Sequence, residues 1–258
     1  MGVNAGFGRV VPLRASFPIW LLTDWSRPQN CPVILRPSLR HVLVVTLAAV
    51  LITVFLMSAR ARGSEAALCS RHEVDAAARA KVVTGSGQPV TVIGDSWTVG
   101  LGLSDLGNSW PSSLPGRVTV AGFSGSGFSK HASHCGDHAF ATRASAARSA
   151  DLVVVAGGLN DFDQPTADIR SGFRSLMSSL GGRTVVLIGP ASAPSRASSV
   201  GRVSSALASL SEEYGVAFID TSAWTLSYLP DRLHLTAAGH AAYGEHVADE
   251  LAGRGLMG

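Results

Sequence analysis

The sequence predicts an α/β domain, a parallel sheet covered by helices on both faces, preceded by one transmembrane helix. Three observations carry this. From residue 88 onward, short Val- and Ile-rich runs alternate with longer amphipathic runs, the pattern of strands joined by crossover helices. The short runs are continuously apolar, as strands buried on both faces must be. Ahead of them, residues 42–59 form an uncharged apolar stretch that, at ~1.5 Å per helical residue, nearly spans a ~30 Å hydrocarbon core.

In chain order, residues 1–41 contain Gly, Pro and Arg with scattered aromatics (Trp20, Trp25) and no sustained period, so they read as a poorly ordered basic tail. Residues 42–59 follow as the membrane span. Arginines lie in front of it (Arg27, Arg36, Arg40) and behind it (Arg60, Arg62, Arg71), the latter diluted by Glu65 and Glu73. The long basic tail favours an inside N-terminus, with the rest of the chain exported at the cell membrane. The same pattern fits a cleaved signal peptide with Ala59-Arg60-Ala61 as an A-x-A site, which makes the product secreted. Residues 60–87 read as a linker holding one short helix near residues 73–83, closed by Gly85-Ser86-Gly87.

The domain proper is expected over residues 88–258. Strands are expected at 90–94, 117–121, 151–156, 184–189 and 216–220, and helices at 138–149, 167–180, 198–214 and 236–253. In the second helix Ile169, Phe173, Leu176, Met177 and Leu180 recur at three and four, giving one buried stripe. Gly181-Gly182 stops it.

Charge divides along the chain. Up to Arg62 there are seven arginines against one acid, Asp24; beyond it 14 basic residues face 17 acidic ones. The basic character therefore belongs to the tail, and with no basic, aromatic-interleaved patch nucleic acid is not an expected partner. Of the three cysteines, Cys31 precedes the span, while Cys69 and Cys135 follow it, on the side where disulfides persist. A Cys69–Cys135 bridge is expected. Leu68 ahead of Cys69 is too bulky for a lipoprotein signal.

Four blocks stand at strand ends or in the loops after them: Gly94-Asp95-Ser96; the glycine-rich loop Gly122-Phe123-Ser124-Gly125-Ser126-Gly127; Gly157-Gly158-Leu159-Asn160-Asp161; and Asp231-Arg232-Leu233-His234. In an open parallel sheet the carboxyl ends of neighbouring strands converge on one crevice, so distant blocks can meet there. Each supplies something acyl transfer needs. Ser96 is a nucleophile once a base takes its proton, and His234 is that base. Asp231, three residues earlier, lies within reach of the His234 ring and fixes its tautomer; Asp161 competes for that place. The backbone N–H groups of Ser96 and Gly125 and the Asn160 amide are candidate oxyanion donors.

Taken together, GDSWTVG, GFSGSG, GLND and DRLH, in this order, resemble blocks I, II, III and V of the SGNH (GDSL) hydrolase family, over nearly all of the segment from Pro89 to the C-terminus. The resemblance implies a flavodoxin-like three-layer α/β/α fold on a five-stranded parallel sheet and a serine esterase mechanism without metal or other cofactor. It places Ser96, Asp231 and His234 in a catalytic triad and Ser96, Gly125 and Asn160 in the oxyanion hole. Gly127 takes the place of Gly125 if the loop aligns two residues later. The G-x-S-x-G elbow of α/β-hydrolases is absent around Ser96.

The reading is an extracytoplasmic, monomeric serine hydrolase acting on a small acyl ester, a lipid or an acylated glycan. A cell-envelope polysaccharide O-acyltransferase or an inactive envelope-binding module on the same fold are the alternatives. Trp97, Trp110, Phe123, Phe128 and Phe162 flank the blocks and fit either a substrate subsite or the core. A second cluster, His131, His134, Cys135, Asp137 and His138, has metal-like composition but no familiar zinc spacing. It reads as a loop with surface histidines.

Overall fold

A computed structural model describes residues 38–257. The described residues fall into two units, divided between Ile52 and Thr53. The basic tail expected at residues 1–41 falls almost wholly outside the described residues. The first element, helix α1 (Leu39–Ala80), contains the apolar stretch. That stretch is long and apolar enough to cross a membrane, and its Leu43, Val45, Leu51 and Phe55 side chains are exposed.

Residues 60–80 correct one expectation. They are not a linker with a short helix but the continuation of α1. Their composition is rich in Ala, Glu and Arg, strong helix formers, and the lone Gly63 costs only about 1 kcal/mol. Tertiary contacts hold the C-terminal part. Cys69 is bonded to Cys135. The Arg79 side chain is fully buried, its guanidinium donating to Ser109 Oγ (2.8 Å), Ser112 Oγ (3.0 Å) and the Val82 carbonyl (3.0 Å).

The sheet comprises β1 (Pro89–Gly94), β2 (Arg117–Gly122), β3 (Leu152–Ala156), β4 (Thr184–Ile188) and β5 (Ala217–Ile219). Its order is β2-β1-β3-β4-β5 and every pairing is parallel. Period-two alternation sends neighbouring strand residues to opposite faces. On one face Val90, Val92, Val118, Val154, Val186 and Ile188 pack with Tyr243, Val247 and Leu251 of helix α5 (Ala237–Gly253). On the other, Ile93, Val153, Val155 and Leu187 pack with Ile169, Phe173, Leu176 and Leu180 of α3 (Thr166–Leu180) and with Val203, Leu207 and Leu210 of α4 (Ala197–Tyr214). Three layers result.

The expected helix at 138–149 is a 3₁₀ segment, Phe140–Ala147. Its tighter winding still turns Phe140, Ala144 and Ala147 inward. Between β1 and β2 lie the four-residue helix Ser96–Val99, here α2, and two 3₁₀ turns. The order β2-β1-β3 places the reversal of connection direction at β1, and ligands of open α/β sheets bind beyond the carboxyl ends of strands at such a point.

Candidate active site

Ser96 follows β1 after a single residue, Asp95, as the first residue of α2, where its N–H has no acceptor within the helix. Asp95 caps that helix, its Oδ1 accepting from Trp97 N at 3.0 Å. Gly100, at φ 92°, ends it by returning its N–H to the Ser96 carbonyl. The turn is thereby fixed at both ends. Asp95 is buried, and burial pushes its carboxyl up to about 6 against the lowering effect of the Trp97 N–H.

His234 reaches Ser96 from the loop before α5, with Nε2 3.1 Å from Ser96 Oγ. Its Nδ1 lies 2.6 Å from Asp231 Oδ2. The other carboxylate oxygen accepts the N–H groups of Leu233 (2.9 Å) and His234 (3.0 Å). Burial acts to raise the Asp231 carboxyl, but bonds from the His234 ring and these two N–H groups outweigh it and hold it down at about 2. The fold-back of Asp231 onto His234 runs through Arg232, at φ 59° the one non-glycine residue with positive φ among the described residues. Trp97 Nε1 donates to the Leu233 carbonyl at 3.1 Å, tying this loop to α2.

The glycine-rich loop follows β2. Gly125 sits at φ 85°, a conformation that glycine adopts freely, and borders a cavity of about 170 Å³ together with Asn160. Asn160 Nδ2 donates to the Ser126 carbonyl at 2.9 Å, which fixes the amide and leaves its second N–H. Gly127 is buried, and a Cβ there would fall 2.4 Å from Asp161 Oδ2. Its glycine is required by packing, while Gly125 is the glycine bordering the cavity. Asp161 does not partner His234. Its two oxygens accept Phe128 N (2.9 Å) and Ser129 N (2.8 Å), bracing the loop after β2. Burial pushes its carboxyl up to about 7, those two N–H groups opposing the shift.

The sequence residues Ser96, Asp231 and His234 thus form one hydrogen-bonded chain, with Gly125 and Asn160 together at one cavity wall. Such a chain can deprotonate a hydroxyl and return the proton to a leaving group.

The sequence pattern of the GDSL-like lipase/acylhydrolase family matches residues 92–242. The chain belongs to that family. No curated protein sequence matches it. Solved structures share its fold at low identity. The aryl esterase of M. smegmatis has a TM-score of 0.53 at 17% identity, covering 66% of this chain and 100% of that one. Est24, a carbohydrate acetylesterase from Sinorhizobium meliloti, has 0.52 at 18%, covering 65% and 100%. A family two carbohydrate esterase from Clostridium thermocellum, in complex with cellohexaose, has 0.56 at 15%, covering 67% and 66%.

Two contributions to the site of this GDSL-like hydrolase carry no sequence signal. Arg143 is an isolated arginine in an alanine-rich segment. Its guanidinium donates to the carbonyls of Gly94 (3.2 Å), Ala121 (3.0 Å) and His138 (2.8 Å) and to Ser126 Oγ (2.8 Å), knitting the ends of β1 and β2 together. Burial lowers it to about 10, so it stays cationic at neutral pH. The other is α1, whose Leu68 and His72 line the cavity.

Of the flanking aromatics, Trp97, Trp110 and Phe128 are core. Phe123 is buried too, stacked on His138 at 3.6 Å. Phe162 lines the cavity, under the Arg196 guanidinium at 3.6 Å. In the histidine loop, Cys135 is bonded to Cys69, as expected, and His131 and His134 line the cavity. No group of three His, Cys, Asp or Glu side chains is placed to hold a metal among the described residues.

Proposed function

We propose that the chain hydrolyses carboxylic esters outside the cytoplasm through an acyl-enzyme on Ser96. The observation that carries this is the continuous chain Ser96 Oγ, His234 Nε2, His234 Nδ1, Asp231 Oδ2, at 3.1 and 2.6 Å. In the first step Ser96 Oγ bonds the ester carbonyl carbon as its proton passes to His234 Nε2. Asp231, ionised and doubly bonded to backbone N–H groups, stabilises the imidazolium. The N–H groups of Ser96 and Gly125 and the free N–H of Asn160 receive the oxyanion. Collapse breaks the bond to the alcohol oxygen, which leaves with the proton from His234. Water then attacks the acyl-enzyme, giving its proton to His234, and the carboxylic acid departs as Ser96 recovers its hydroxyl.

The location rests on residues 42–59 acting as a span or export signal, with the arginine-rich segment ahead of them on the inner side. The disulfide supports an oxidising compartment. The cavity lining combines hydroxyl, amide and imidazole groups with the apolar surface of Leu68, Ala132 and Phe162, a mixture suited to an acylated sugar, whose acyl group is apolar and whose ring is polar. Ser96→Ala should abolish hydrolysis of an aryl acetate, a loss on the order of 10⁶-fold as expected for a serine nucleophile, together with labelling by a fluorophosphonate. Wild-type turnover in that variant would exclude the mechanism.

A further inference from the structure

The cavity beside Gly125 and Asn160 has a wall that no block supplies. Leu68 and His72 come from α1, ahead of the residues the family pattern covers. The remaining lining includes His131, Ser133 and His134 from the loop that follows β2, and Asn160, Phe162 and Arg196. His72 is held in place from three directions. Cys69, one turn earlier, is bonded to Cys135 of that loop. Arg79, two turns later, is buried on the Ser109 and Ser112 hydroxyls. The imidazole itself packs edge-on against Phe123 at 6.0 Å between ring centres.

What His72 lacks is a hydrogen-bond partner. Its Nδ1 is buried and has none. Two more groups lining the cavity share that state, Ser124 Oγ and Arg196 Nε, whereas Ser133 Oγ accepts from Cys135 N. A half-turn of the ring exchanges its edges, so either nitrogen can be brought to the cavity.

We propose that α1 forms one wall of the substrate pocket and that the His72 imidazole hydrogen-bonds a hydroxyl of the substrate, so that the pocket selects acyl esters of polyhydroxy compounds, sugars above all. This deepens the reading of Ser96 as an esterase nucleophile and rests on it. The electrical state of the ring fits. Burial, the largest influence, and the nearby Arg71 and His234 lower its pKa, with Asp75 opposing. A neutral imidazole both donates and accepts, which matches a hydroxyl and gives no preference for a carboxylate or phosphate. An alkyl chain in the same place leaves the buried nitrogen unserved, an unfavourable outcome for an apolar occupant.

The test compares a mono-O-acetylated glucose with p-nitrophenyl acetate, which has no hydroxyl, using the full-length chain in detergent micelles. His72→Phe keeps a ring against Phe123 and removes the hydrogen bond; His72→Gln restores a donor and an acceptor. In the Phe variant the ratio of KM for the sugar ester to KM for the aryl ester should rise about 3- to 10-fold, the value of one neutral hydrogen bond, with kcat for the sugar ester changing less than KM. The Gln variant should recover part of that ratio. If the two KM values move together, or neither moves, His72 is only a packing residue and the proposal fails while the esterase reading stands. A wild-type chain that turns over neither substrate and takes no fluorophosphonate overturns both.

Discussion

At the scale of single residues, the geometry around Asp161 separates two carboxylates that look alike in sequence. Asp161 braces the backbone of Phe128 and Ser129 with both oxygens, whereas Asp231 divides its oxygens between the His234 ring and two N–H groups of its own turn. An asparagine at 161 keeps one acceptor and turns an NH₂ toward the second N–H. Asp161→Asn should therefore lower stability by about 1–3 kcal/mol, seen as a lower urea midpoint, and weaken turnover through the displaced glycine-rich loop. Ser96 and His234 were legible because each stands at a strand end or just before a helix, inside a recognisable block. The Asp231 assignment was legible from its three-residue spacing. Arg143 and His72 were not, since their importance lies in partners 49 residues away in one case and in the absence of a partner in the other.

Among the elements, α1 departs furthest from what the sequence suggests. Glycines and mixed charge after residue 59 read as a linker, yet the helix continues to Ala80. Its final turns are held by tertiary contacts invisible to local propensity, the buried Arg79 chief among them. Burial lowers that guanidinium to about 10, still cationic, so each of its hydrogen bonds is charge-assisted. Arg79→Ala strips the Ser109 and Ser112 hydroxyls of a shared donor and should cost about 2–4 kcal/mol, measurable as a reduced Tm of the full chain in detergent. The strands, by contrast, were placed within a residue or two at most ends. Continuous Val and Ile runs bounded by glycine or aspartate leave few alternatives for a segment buried on both faces. The 3₁₀ segment at Phe140–Ala147 escaped because alanine-rich sequence does not distinguish 3.0 from 3.6 residues per turn.

For the molecule as a whole, stability depends on pH through a histidine that the packing encloses. The face that carries α5 contains His240, which is buried, its Nδ1 facing the Trp110 N–H at 3.4 Å. Burial and, secondarily, His234 push its pKa from 6.5 down to about 4. The unfolded chain takes up that proton below about pH 6.5 and the folded chain resists doing so until about pH 4. Stability from this group is therefore complete above 6.5 and is lost as pH falls toward 4, by up to roughly 3 kcal/mol. His240→Gln should show a smaller fall in Tm between pH 7 and pH 4.5 than the wild type, whatever its Tm at neutral pH. The layer architecture was readable from strand and helix alternation alone; this titration was not, because it depends on which histidine the packing encloses.

The disulfide joins residues 66 apart, and a loop of that length restrains the unfolded chain by ~4 kcal/mol. It also makes a covalent ring. Inside it lie His72, β1, Ser96, β2 and Gly125; Leu68 lies just ahead of it, and Asn160, Asp231 and His234 lie beyond it. A protease cut within the ring releases nothing until the bridge is reduced, so a nicked chain runs as one species on a non-reducing gel and as two on a reducing gel. The ring begins after Ala61, the far end of the A-x-A site. A cut at that site would leave Leu68, His72 and the Cys69 tether with the catalytic domain, separating it from residues 42–59 without removing any residue that lines the cavity.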